Sequence, residues 1–77
     1  MAKKKQIGKK RKDMELIAIV SGNIRHCRIK TGITQEELED MTHLPISRYE
    51  SGMHDMSLTT IGILSKHLNI KPHELLI

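Results

Sequence analysis

The sequence predicts an all-α fold of five short helices behind a basic tail. Three observations predict it. From residue 13 onward, apolar residues recur three or four positions apart, the spacing of one helix face. The segments are bounded by residues that start or stop helices: Asp13, Thr34 and Ser57 at starts, Pro45 and Pro72 in first turns, and Gly32 and Gly52 at ends. Charge then divides the chain. Residues 3–12 carry seven Lys/Arg and no acid, whereas residues 13–77 carry six Lys/Arg and nine acids. Residues 1–12 are therefore read as a disordered tail and 13–77 as one domain.

The first helix is expected over 13–30. Ile17, Val20, Ile24 and Cys27 form its inward stripe, Asp13 caps it, and Gly32 follows it. Gly22 weakens it by roughly 1 kcal/mol relative to alanine. Leu16–Val20 is rich in β-branched residues, so a short strand there is an alternative. The second helix, 34–42, opens on Thr34-Gln35-Glu36-Glu37, a capping box, with Leu38 and Met41 inward. Pro45 forces Leu44 out of helical geometry, so this helix stops by His43. The third helix, 45–51, has Pro45 in its first turn, Ile46 and Tyr49 inward, and Gly52 behind it. Ser57 caps the fourth, 57–68, which points Leu58, Ile61, Leu64 and Leu68 at the core. Pro72 opens a fifth helix over 72–76.

Seventy-seven residues without Phe or Trp allow one small core of Leu, Ile, Met and Tyr49. Chains of this size often gain stability by dimerising. One cysteine makes no internal disulfide, so nothing requires an oxidising compartment. Leu16–Val20 is too short for a signal core or a membrane span. A cytoplasmic protein with no membrane role is expected. The net charge of +4 separates into +7 in the tail and −3 in the rest. The basic character that points to a nucleic-acid partner thus belongs to the tail.

Several pieces, taken in order, resemble the Cro/phage-repressor type of helix-turn-helix, the XRE family. They are Ile24-Arg25-His26-Cys27-Arg28, Gly32, Thr34-Gln35-Glu36-Glu37-Leu38, Ile46 through Gly52, Ser57-Leu58 with Ile61, and Leu68 through Leu76. The resemblance covers about residues 22–76. It implies a five-helical DNA-binding domain whose third helix enters the major groove while the second crosses the backbone. By the same resemblance, Gln35 anchors a phosphate, and Ser47 and Arg48 read bases or grip backbone. Arg28 and Glu50 form an ion pair that holds the fold. One departure matters. Between Gln35 and Glu50 the chain is about three residues shorter than the family pattern, nearly one helical turn. The loss falls at the turn and the start of the third helix, where His43 stands in place of the usual glycine. Candidates for the shortened tip are His43, Pro45, Ser47 and Arg48.

Each sharp reading has a plainer one beside it. The tail, with Lys9, Lys10, Arg11 and Lys12 nearest the domain, is either a DNA arm or a solubilising leader. The arm is favoured, because the acidic remainder needs cations against a polyanion. Glu36, Glu37, Glu39 and Asp40 are read as a solvated helix face. His26, His43, His54, His67 and His73 with Cys27 lack metal-ligand spacing, and Cys27 is read as core packing. There is no catalytic triad, carboxylate pair or phosphate-cradling loop, so neither an enzyme nor a cofactor is expected. Leu16, Ile19, Ile29, Ile63 and Ile77 fall outside the inward stripes and point to an interface.

The reading is a sequence-specific transcriptional regulator, a repressor of bacterial or mobile-element type, binding double-stranded DNA as a homodimer. Two rivals remain: an antitoxin or other protein-partner module, and a non-specific nucleic-acid binder working through its tail.

Overall fold

The computed structural model describes residues 11–77. Most of the expected tail, including Lys9 and Lys10, lies outside the described residues. Arg11 and Lys12 are exposed and non-helical, leading into Asp13. Four α-helices follow: α1 (Met14–Thr31), α2 (Gln35–Thr42), α3 (Ile46–Glu50) and α4 (Leu58–His67), and then a 3-10 helix, Pro72–Leu75. The class is all-α, and no strand occurs among the described residues.

Local chemistry accounts for the helix ends. The Asp13 carboxylate accepts from Leu16 N–H at 3.0 Å. Thr34 Oγ1 accepts from Glu37 N–H at 3.0 Å, and the Glu37 carboxylate accepts from Thr34 N–H at 2.8 Å. Ser57 Oγ accepts from Thr60 N–H at 3.1 Å. Each bond satisfies an amide that the helix itself leaves unpaired. Gly32 closes α1 at φ 78°, a left-handed geometry that glycine adopts without steric penalty. α1 runs unbroken through Leu16–Val20 and Gly22, so the strand alternative is not what forms.

The core joins all five elements. Val20 and Ile24 of α1, Leu38 of α2, Ile46 of α3, Ile61, Leu64 and Leu68 of the α4 region and Leu75 of the 3-10 helix are buried together. Cys27, Ile33, Leu44, Tyr49, Met56 and Ile70 pack around them. Each fully buried aliphatic side chain contributes about 1.5–3 kcal/mol relative to exposure.

Three sequence expectations need correction. Met41 is 47% exposed, although its helical phase predicts an inward position. Leu38 alone carries the buried face of the short α2, and Leu44 in the turn and Ile46 just beyond it supply the apolar volume. Leu58 is 87% exposed. It has the right helical phase, but it sits at the first position of α4, where no element among the described residues covers it. The fifth helix is a 3-10 turn rather than an α-helix. Glu74 N–H bonds to Lys71 O and Leu76 N–H to His73 O, both at 2.9 Å and both three residues back. Pro72 lacks an amide, and four residues are too few to establish α-type rings. The turn is still well anchored: Leu75 is fully buried, and its carbonyl accepts from Asn23 Nδ2 at 3.0 Å.

Candidate nucleic-acid interface

Three residues, His43 to Pro45, join α2 to α3. His43 ends α2 in the left-handed region, φ 58° and ψ 32°, and its N–H bonds to Glu39 O at 2.7 Å. Histidine takes the role that glycine fills more cheaply, since a side chain in this region costs roughly 1–2 kcal/mol. Pro45 sits at φ −77°, ψ 78°, and Ile46 N–H bonds to Leu44 O across it at 2.9 Å. That is an inverse γ-turn. A left-handed residue followed by a γ-turn reverses the chain in three residues, which is how the shortened link is made. Pro45 therefore precedes α3 instead of lying in its first turn. Its carbonyl accepts from Arg48 and Tyr49 N–H at 3.1 and 3.2 Å.

α3 is only five residues long, yet it is held at both ends. Ile46 is fully buried at its start. At its last residue, Glu50, three elements meet. Arg28 of α1 donates from Nε to Glu50 Oε2 at 2.5 Å and from Nη2 to Oε1 at 2.9 Å. Arg28 Nη1 also donates to Ile33 O at 2.9 Å. Gln35, the first residue of α2, donates from Nε2 to Glu50 Oε1 at 2.9 Å. The Arg28 and Glu50 side chains are 11% and 2% exposed. Burial pushes the Glu50 carboxyl up. Hydrogen bonds from Arg28 and Gln35, with the charges of Arg28 and Arg25, outweigh it and hold the group below the ordinary carboxylate value. The hydrogen bonds with Glu50 hold Arg28 above its ordinary value against the opposing effect of burial.

The sequence candidates are placed as follows. Ser47 and Arg48 are both exposed on α3, and His43 and Pro45 are exposed at the turn. Gln35 is half-buried, with one amide hydrogen committed to Glu50. An amide carries a second N–H and an oxygen, so capacity toward a phosphate remains. Arg11 and Lys12 stand at the start of α1, close to Asp13 and Met14. Two further residues act on the same elements and are not among the site candidates read from the sequence. Arg25 is exposed on α1, near enough to Glu50 to influence its charge, and its place one turn before Arg28 is the available signal. Glu39 reads in the sequence as part of a solvated face, but its Oε2 accepts from Ser47 N–H at 3.3 Å. Nothing in the sequence places that bond, because it depends on the three-residue turn.

This pair of helices, with a short link, a buried tie behind them and polar side chains in front, is matched by a helix-turn-helix family model over residues 24–75. The chain belongs to the helix-turn-helix family, in its Cro/repressor-type branch. This helix-turn-helix protein is also similar to a solved structure described as a hypothetical transcription factor, NHTF, from Neisseria. The identity is 26%, the TM-score is 0.76, and the match covers 90% of this chain and 84% of the other. No curated protein matches it significantly. Among the described residues, no helix is long and apolar enough to cross a membrane, and no group of three His, Cys, Asp or Glu is placed to hold a metal ion.

Proposed function

We propose that this DNA-binding transcriptional regulator acts as a repressor, binding a palindromic operator as a homodimer. The observation that carries the reading is the α2–α3 pair. Its buried tie at Arg28, Gln35 and Glu50 fixes a short α3 whose Ser47 and Arg48 face outward. Gln35 at the start of α2 is suited to a phosphate, and Arg48 to backbone or a guanine edge. The neighbour described as a transcription factor supports regulation of transcription. Occlusion of a promoter is the simplest mode for a domain of this size. The basic tail, residues 1–12, adds affinity as a DNA arm.

Exposed apolar residues support the homodimer. Exposed Leu16, Leu58 and Leu76, with the partly buried Met56, line a groove of about 200 Å³ over Ile17, Val20 and Ile61. A surface of this kind on a small domain favours association. Selection of bound sequences from random duplex DNA tests the whole reading. An enriched palindrome is the expected result. Enrichment of a single half-site would remove the homodimer, and no enrichment would favour the non-specific binder.

A further inference from the structure

Glu39 reaches from α2 to the tip of α3, and that reach has a consequence for base recognition. Pro45 offers no side-chain cap to α3, and α3 lacks the length to present a long edge to a groove. The Glu39 carboxylate takes the place of the missing first turn at Ser47 N–H. Glu39 lies one helical turn after Gln35, so the two share a face of α2. It therefore stands between Gln35 at the start of α2 and the exposed tip at Ser47. It is half-buried, and Oε2 is the oxygen held by Ser47, which leaves Oε1 for an external donor.

A carboxylate on a DNA-facing surface is repelled by phosphates and is tolerated where a donor meets it. In the major groove two bases offer amino donors. Adenine places its N6 amino group beside the N7 acceptor, which opposes a carboxylate, whereas cytosine offers its N4 amino group without that neighbour. We propose that Glu39 is a base-reading side chain at this shortened tip and that it selects a cytosine through the N4 amino group. The inference deepens the operator-binding reading of the same face and rests on it.

The test is competition binding on the selected operator and on duplexes changed one base pair at a time. For the unaltered protein, replacing one particular C·G pair is expected to weaken binding about tenfold. N4-methylation of that cytosine, which removes the groove-facing proton, is expected to do the same. Glu39→Gln keeps an oxygen for Ser47 N–H while removing the charge. It is expected to lose the cytosine preference or move it toward adenine, whose N6/N7 edge suits an amide. Uniformly tighter binding of Glu39→Gln to every duplex would overturn the proposal and leave Glu39 as a repulsive charge. Insensitivity of the unaltered protein to N4-methylation at every cytosine would overturn it without any variant. If the unaltered protein shows no sequence preference at all, the operator-binding reading fails as well, so the two failures are distinguishable.

Discussion

Replacing Glu50 by alanine removes the acceptor of three hydrogen bonds at once: two from Arg28 and one from Gln35. The change strands a guanidinium whose side chain is 11% exposed, with Ile33 O as its remaining partner among the described residues. Breaking a buried pair by removing one member typically costs about 3–5 kcal/mol. Arg28 retains one bond and lies near enough to the surface to recruit water, so the lower end applies, about 3 kcal/mol. A chain of 77 residues has a total stability of roughly 4–12 kcal/mol. The variant should therefore lose a quarter or more of it, and its melting midpoint should fall by about 12–24 °C. Thermal and urea melts followed by circular dichroism measure this. The double variant Arg28→Met with Glu50→Leu removes both charges and should recover most of the loss, because apolar replacements of a buried pair are often neutral or better. A Glu50→Ala midpoint within about 4 °C of the unaltered protein would refute the reasoning. So would a double variant no more stable than the single one.

Four further outcomes are expected. Because the Glu50 carboxyl is held below its ordinary value of 4.5, it contributes stability above that pH, and the contribution should disappear as pH falls through the lower folded-state value; melts between neutral pH and about pH 3 would show a flat profile if the network contributes nothing. Gly22→Ala should stabilise the protein by roughly 1 kcal/mol, since Gly22 is helical and exposed and an added Cβ meets nothing within 4 Å; an unchanged denaturation midpoint would contradict this. Deleting residues 1–12 removes seven cations, so the log–log salt slope of DNA binding should become shallower by up to about one unit for each phosphate that the tail neutralises, and an identical slope would make the tail a leader. Arg48→Ala should leave the melt within about 0.5 kcal/mol and weaken operator more than scrambled DNA, whereas Gln35→Ala should weaken both equally and cost some stability through Glu50; equal weakening by Arg48→Ala would make Arg48 a phosphate-binding side chain.

Features written in local chemistry are legible in the chain alone. Caps at Asp13, Thr34 and Ser57 and the stop at Gly32 act through residues at most four positions apart, so reading along the chain locates them. The inward stripe of α1 and the buried positions Leu38, Ile46, Ile61, Leu64 and Leu68 follow from helical period for the same reason. What each helix end meets in space is a property of the assembled fold. Met41 and Leu58 have the residue type and phase of core positions but lie outside it, because burial depends on whether a neighbouring element extends over them. The last segment is a 3-10 turn because its four residues are held by the Leu75 anchor and not by helix propagation. The candidate interface divides in the same way. Gln35 and Arg48 are candidates through a motif resemblance, whereas the bond from Gln35 to Glu50 and the reach of Glu39 to Ser47 cannot be read along the chain. Those bonds join residues fifteen and eight positions apart. They exist only because His43 in the left-handed region and a γ-turn at Pro45 bring α3 back against α2, and backbone geometry of that kind has no period in the sequence.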